Sequence, residues 1–369
     1  MSKSISISLC MIVKDEELTI GRCLDCIKDI VDEIIIVDTG STDRTKEIVK
    51  KYNSTIYDFK WIDDFSAARN YAFSKANKDY ILWLDADDVF LSEDMKKLKE
   101  LKTSLDPNVD SVTMKYNIGI DEHGNAASSY RRNRLVKRAR NFVWKGFIHE
   151  YLEVYGNIIN SDISVTHQKL KSTPNRNIEI FRSKLKQGIE FTPRDLLYYA
   201  HELYDHNEFE EALLNYNKFL DDGFGWYEDN IRVCSNLTDY YQGEGKFEKA
   251  REYAFRSFQY DLPRAEACCR IGFSYLCENR LDQAIFWYEL ATNLKKPNDS
   301  LGFFNEASWT WLPHIQLCVC YDRLGDHKKA FEHNETAYNY SPNDHRVLYN
   351  RQYFESIGLK KSNDTAETL

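Results

Sequence analysis

The amino-acid sequence predicts an α/β domain followed by an all-α repeat domain. Three observations carry that prediction. Strand-length apolar runs alternate with amphipathic helical stretches up to about Lys102, the pattern of parallel strands joined by crossover helices. Four short segments ending in alanine (FEEA, FEKA, LDQA and HKKA) recur in the second half, at spacings near that of a helix-pair repeat. The chain has 369 residues, more than one hydrophobic core usually serves, so two domains are expected.

In the first half, Ile5–Val13 reads as a strand with a polar end at Lys14, Asp15 and Glu16, and Leu18 to Ile30 as a helix. Glu33–Asp38 (EIIIVD) is a continuous apolar run, the mark of a strand covered on both faces. Thr39-Gly40-Ser41-Thr42 forms a turn and cap, and a helix follows to about Lys51. Thr55–Phe59 is a third strand, Phe65 to about Ala76 a helix, and Tyr80–Leu84 a fourth strand. Asp110–Ile120 and Ala126–Lys137 read as a hairpin around Asp121-Glu122-His123-Gly124-Asn125.

In a sheet of this kind a ligand site lies off the carboxyl ends of the strands. The acidic residues Asp15, Asp38 and Asp85 each follow an apolar run there. The stretch YILWLDADDVF (Tyr80–Phe90) places Asp85 and Asp87 at i and i+2, with Asp88 next. If the chain bends as the strand ends, both can offer oxygen to one divalent cation; the alternative is a polar loop. Arg69, in SAARNYAF, is the cation best placed to meet a phosphate, or else pairs with Asp64 at the surface. Arg131, Arg132, Arg134, Lys137, Arg138 and Arg140 form a basic cluster, read either as a solvated strand edge or as anion capture. His149 beside Glu150 is a candidate acid/base pair.

In the second half the repeated alanines, Ala212, Ala250, Ala284 and Ala330, lie 38, 34 and 46 residues apart by subtraction. A period near 34 is that of tetratricopeptide-type helix pairs, with Gly245, Asn279 and Gly325 in the turns and Tyr and Phe filling the contacts between repeats. The long third interval, with Pro297, is expected to hold an inserted loop, and the polar tail KKSNDTAETL to be disordered. The expected boundaries are residues 1–180, 181–360 and 361–369.

Composition narrows the function classes. A formal net charge of −9 does not favour a nucleic-acid partner. No apolar run is long enough to span a bilayer, and MSKSISISLCMIV lacks the apolar core and cleavage site of an export signal, so a cytoplasmic location is expected. The nine cysteines are odd in number and irregularly spaced, as free thiols are. Cys23 and Cys26 form a CxxC, but inside a helical stretch rather than just after a strand, so neither redox nor zinc chemistry is expected of them.

The pieces SLCMIVKDEE, IIIVDTGSTDRT, DDFSAARNYAF and WLDADD, in that order, resemble a family 2 glycosyltransferase of the GT-A fold, a Rossmann-like mixed sheet. The likeness covers roughly Ile5 to Glu153. The second half is similar to the tetratricopeptide-like tail of some bacterial members, among them peptide S-glycosyltransferases of glycocin biosynthesis and relatives acting on other proteins or lipopolysaccharide core. The resemblance implies a nucleotide-sugar site formed by Val13, Asp15, Glu16, Asp38, Arg69, Asp85, Ala86, Asp88 and Arg134. It implies that Asp87, with Asp85, holds Mn²⁺ or Mg²⁺, and that Glu150, assisted by His149, is the catalytic base. The implied reaction is inverting transfer of glucose or N-acetylglucosamine from a UDP-sugar to a Cys, Ser or Thr side chain. A peptide or protein acceptor would be held by the helical domain, whose surfaces could instead pair two copies of the chain. Competing readings are a surface-glycan transferase and a helical scaffold with an inactive first domain. A nucleotidyltransferase would need a Gly-rich loop after the first strand, which MIVKDEE lacks.

Overall fold

The computed structural model describes residues 4–120, 126–168, 170, 174–297 and 304–360. The expected hairpin turn at 121–125, part of the expected insertion (298–303) and the tail at 361–369 lie outside the described residues. Two compact units divide between Phe191 and Thr192.

The first unit begins with β1 (Ile7–Val13), α1 (Ile20–Ile27), β2 (Glu33–Asp38), α2 (Thr45–Val49) with a 3₁₀ turn to Tyr52, β3 (Thr55–Asp58), α3 (Phe65–Lys75) and β4 (Tyr80–Trp83). It continues through β5 (Asp88–Val89), α4 (Ser92–Ser104), β6 (Ser111–Ile120), β7 (Ala126–Lys137), β8 (Val143–Lys145), β9 (Tyr151–Glu153), β10 (Ile158–His167) and α5 (Arg176–Lys186). Eight strands form one sheet in the order β3-β2-β1-β4-β7-β6-β10-β5, and β8 pairs with β9 separately. The first four strands in sequence run parallel. β7 is antiparallel to both its neighbours, β4 and β6, which makes the sheet mixed.

Alternation along the strands explains the two cores. Ile7, Leu9, Met11 and Val13 face one side, where they pack with Ile20, Leu24 and Ile27 of α1. Cys10, Ile35, Val37, Ile81 and Trp83 face the other, packing with Ala72 of α3 and with Trp144. α5 belongs to this unit because Phe181 packs edge-to-face with Phe147 and Phe191, and Lys184 Nζ donates to the Ile62 carbonyl.

One feature departs from the solvated-edge alternative for the basic stretch: β7 lies inside the sheet, and Arg134 is fully buried. The aromatic rings of Trp83 and Tyr116 receive its guanidinium at 3.9 and 4.5 Å, a packing that a flat, charged guanidinium tolerates far better than an ammonium would.

The second unit is helical: α6 (Pro193–Asp205), α7 (Phe209–Asp222), α8 (Tyr227–Gly243), α9 (Phe247–Arg256), α10 (Ala265–Cys277), α11 (Leu281–Asn293), α12 (Trp311–Arg323), α13 (His327–Tyr340) and α14 (His345–Ser356). The four repeated segments open α7, α9, α11 and α13, and Ala212, Ala250, Ala284 and Ala330 are each wholly buried. Only a small side chain lets paired helices approach closely at that point. Tyr216, Phe219 and Tyr288 fill the space between helices, as expected of repeat aromatics. Asn207, Gly245, Asn279 and Gly325 occupy the left-handed region in the intra-pair turns, where Gly and Asn carry the least strain. All nine cysteines are free thiols. Among the described residues no helix is long and apolar enough to cross a membrane.

His314 on α12 and His333 on α13 meet through their Nδ1 atoms at 3.1 Å, so one ring must donate and the other accept. Burial, then the neighbouring His333, pushes His314 down to about 4. A histidine pKa depressed in the folded state favours folding above the unfolded value and loses that contribution as pH falls toward the folded one. The last helix pair should therefore lose about 1–2 kcal/mol between pH 6.5 and pH 4, after allowance for solvent screening. Thermal unfolding followed across that range should show the loss in the wild-type chain and a flatter profile in His314→Gln.

Candidate functional site

The carboxyl ends of the parallel strands bring two groups of residues to one rim. The first group joins β1 to β2. Val13 and Asp38 are paired in register, and the Thr39 amide donates to the Val13 carbonyl. Asp15 Oδ1 accepts from the amides of Thr42 and Asp43 at 2.7 and 3.3 Å. The Asp15 amide donates to Ser41 Oγ, and the Glu16 amide to Thr45 Oγ1. Asp15 and Glu16 thus stitch the two rim loops together, and Asp15 takes a left-handed φ of 54° to do so.

Asp38 is 1% exposed. Its Oδ1 accepts from the Gly40 and Ser41 amides, while its Oδ2 is buried with no hydrogen-bond partner. Burial raises its pKa, but the Ser41 and Gly40 donors and Lys46 outweigh that and hold it below the usual value. The residue is a buried, ionised acceptor with one oxygen left over.

The second group surrounds Trp83. Arg69 enters from α3, almost wholly buried, with Trp83 and Trp144 rings at 5.0 and 4.8 Å. Its Nη2 donates to Asp85 Oδ1 and its Nε to Glu150 Oε1, both at 2.7 Å. Burial alone would raise the Asp85 pKa; the adjacent Arg69 charge outweighs it and keeps this carboxyl well below the ordinary range. The surface pairing of Arg69 with Asp64 does not form; Asp64 caps α3 instead, accepting from the Ala67 amide. His149 sits at φ 49°, a left-handed conformation costing a non-glycine residue about 1–3 kcal/mol. The residue after it, Glu150, is the one that meets Arg69.

Beyond Asp85 the chain turns through buried Ala86, and Asp88 Oδ2 accepts from the Asp85 amide at 3.0 Å. Asp88 and Arg134 are both fully buried and pair at 3.0 Å. His167, at the end of β10, stands opposite Asp88 across an antiparallel pair with β5. Carboxylate oxygens of Asp87 and Asp88 and a ring nitrogen of His167 all lie within 4.8 Å of one another. Tyr116 OH contacts the same His167 Nδ1 at 2.9 Å. Hydrogen bonds to Asp87 and then Asp88 raise the His167 pKa to about 9.

The sequence-derived candidates therefore fall into place unevenly. Asp85, Asp87, Asp88, Arg69, Arg134 and Glu150 converge, and Val13, Asp15, Glu16 and Asp38 share the neighbouring rim. Asp85, expected beside Asp87 as a ligand, is held by Arg69, and the oxygen-and-nitrogen cluster is Asp87, Asp88 and His167. His167 was not singled out in the sequence. A signal existed: ISVTH ends a strand-length run in a polar residue, just as EIIIVD does.

Residues 8–155 match the family model described as glycosyl transferase family 2. Residues 8–155 form a family 2 glycosyltransferase domain. A TPR repeat-containing protein of Synechococcus elongatus is 29% identical over 328 residues, spanning 86% of this chain and 73% of its own length. The SPbeta prophage-derived glycosyltransferase SunS of Bacillus subtilis is 30% identical over 253 residues, covering 60% of this chain and 56% of SunS. The chain thus spans about half the length of SunS. Among solved structures, MamA aligns at 21% identity and TM-score 0.36 over 46% of this chain and 88% of its own. YrrB, titled a TPR protein with an unusual peptide-binding site, aligns at 16% and 0.37 over 48% and 84%. By its helix pairs and the recurrence of its buried alanines, the domain that follows the glycosyltransferase domain is tetratricopeptide-like.

Arg69 neutralises two carboxylates that would otherwise face each other in a buried site. Arg69→Ala should destabilise the first unit by about 3–5 kcal/mol, and Arg69→Lys, which loses the two-armed geometry, by less. Chemical denaturation of the variants, monitored by tryptophan fluorescence because Trp83 and Trp144 flank the residue, measures both.

Proposed function

We propose that the chain is a metal-dependent, inverting glycosyltransferase that moves a hexose, glucose or N-acetylglucosamine, from a UDP-sugar to a side chain of a peptide or protein. The observation that carries this reading is the cluster of Asp87, Asp88 and His167 after β4, together with a buried acceptor, Asp38 Oδ2, at the end of β2, two strands away in a family 2 domain. An imide N–H such as that of uracil supplies what the leftover oxygen lacks. Leaving a buried acceptor unmatched costs about 1–3 kcal/mol, so a base bearing such a donor gains on binding.

The donor set fits a divalent cation. Asp88 Oδ1 is buried 3.5 Å from His167 Nδ1, and Asp87 and His167, once the imidazole gives up its proton to the incoming ion, complete a mixed oxygen–nitrogen set. Mn²⁺ accepts imidazole readily, whereas Mg²⁺ prefers oxygen alone, so the set favours Mn²⁺. Bound there, the ion would neutralise the diphosphate charge that grows as the sugar leaves. Asp85 contributes through Arg69 and its own amide's bond to Asp88 rather than as a direct ligand.

In the transfer itself, the acceptor atom attacks the anomeric carbon as the bond from that carbon to the diphosphate oxygen breaks. The bonding pair leaves with the nucleotide, and the acceptor's proton goes to a base. Glu150 can take that proton only once Arg69 releases it, because the two now share a 2.7 Å hydrogen bond. Asp85 and Asp88 are paired with cations too, and Asp87 faces His167. A site whose carboxylates are so engaged favours an acceptor that ionises easily, and a Cys thiol, near pKa 8.5, needs far less help than a Ser or Thr hydroxyl. In the helical unit, a groove of about 430 Å³ lined by Ile315, Val319, Tyr349 and Asn350 is a place for a part of the acceptor peptide other than the reacting side chain.

UDP release from UDP-glucose and UDP-N-acetylglucosamine, with a Cys-containing and a Ser-containing peptide, tests the reading. Mn²⁺ should support release and chelation should abolish it. His167→Ala should raise the Mn²⁺ concentration needed by roughly tenfold or more, since one of three protein ligands is lost. Release that ignores chelator, or no nucleotide binding at all, would overturn the proposal.

A further inference from the structure

Among the described residues, four basic side chains (Arg69, Arg132, Arg134 and His167) gather around Trp83 and the acidic cluster, and they do not serve alike. Arg69 is matched by two carboxylates, Asp85 and Glu150. His167 faces Asp87 and Asp88. Arg134 is fully buried; its Nη1 is shared between Asp88 at 3.0 Å and the Trp83 carbonyl at 3.2 Å, and Nε and Nη2 have no hydrogen-bond acceptor. Ring faces lie against it instead. Its charge is already matched by Asp88.

Arg132 is different. It lies two residues earlier on β7 and is only partly buried. Among the described residues no carboxylate lies within ion-pair distance of it, and its hydrogen bond goes to a neutral hydroxyl, Tyr130 OH at 2.9 Å. Three rings hold it in place: Trp83 at 5.7 Å, and Tyr116 and Tyr130 at 5.3 Å each. Trp83 is shared with Arg69 and Arg134, so, among the described residues, the arginine that feels Asp85 only from beyond ion-pair reach sits on the same ring as the two that are directly paired. Arginine stays charged under all ordinary conditions, so it cannot relieve its partial desolvation by losing a proton. An anion can.

Resting on the nucleotide-sugar reading above, we propose that Arg132, and not Arg134, is the arginine that grips the donor's diphosphate, and that Arg134 is a positioning residue that fixes Asp88. Arg132 presents a planar fork of donors, the shape that suits two phosphate oxygens at once. Its aromatic frame keeps that fork oriented before the ligand arrives, so little freedom is lost on binding. As the bond to the anomeric carbon breaks, the electron pair passes to the diphosphate oxygen, and a fixed guanidinium beside it stabilises the charge that develops.

The test is a set of calorimetric titrations with uridine, UMP and UDP in the presence of Mn²⁺. Arg132→Gln should weaken UDP binding about tenfold or more, the range expected for losing a hydrogen-bonded charge, while uridine affinity stays within about twofold. Arg132→Lys should fall between, keeping the charge but not the fork. Unchanged uridine affinity shows that the base pocket is intact, which separates the proposed role from general damage to the fold. Arg134→Lys should instead reduce Mn²⁺ affinity and stability together, since Asp88 loses its fixed partner. The inference is overturned if Arg132→Gln binds UDP as the wild type does, or loses uridine and UDP in equal proportion. Wild-type protein that binds uridine no more weakly than UDP would overturn it while leaving a base pocket in place. Wild-type protein that binds neither would overturn the nucleotide-sugar reading along with it.

Discussion

Two acids on different elements, Asp85 at the end of β4 and Glu150 in the loop before β9, share one guanidinium between two indole rings. Without a cation there, two partly buried carboxylates would face each other with their repulsion only partly screened by water. With it, the Asp85 carboxyl is held ionised, α3 is tied to the sheet and to the loop carrying Glu150, and the backbone that follows Asp85 is fixed. That backbone presents Asp87 and Asp88 to His167. The orientation of the acidic cluster is thus inherited from a contact one step removed from it.

The same economy recurs on the neighbouring rim. Asp15 uses its carboxylate to hold the β2–α2 loop, and that loop in turn supplies the amides that hold Asp38. Each acid near the surface of the site orients another that lies deeper. Carboxylates are suited to this because one group accepts several N–H donors at once. The arrangement also explains why acids crowd this rim in numbers larger than any ligand requires: several are parts of the frame.

Much of this could be read before any coordinates. Strands such as EIIIVD were legible because a fully covered parallel strand must be apolar at successive positions, and few other structures demand that. The helix pairs were legible because close approach at Ala212, Ala250, Ala284 and Ala330 leaves a repeating small residue. What could not be read was pairing across long separations. Nothing local to Arg69 says that its partners are Asp85 and Glu150 rather than Asp64. Nothing local to the basic stretch says that β7 runs inside the sheet, since six cations in ten residues look like a solvated edge. His167 was hidden for the same reason: it joins Asp87 and Asp88 only through the antiparallel pairing of β5 with β10.

β7 is the strand on which the order of synthesis bears most heavily. Trp83 and the acids after it are made well before the arginine that neutralises Asp88; Arg134 lies 51 residues beyond Trp83. In a nascent chain that has completed β4 and β5, Asp85 already has Arg69, but Asp87 and Asp88 still await His167 and Arg134. β4 also lacks its other neighbour until β7 arrives to lie beside it. The early strands therefore do not make a smaller, self-sufficient version of the domain. A shortened chain that stops ahead of Arg134 keeps the acidic motif while losing the cation that is buried with Asp88.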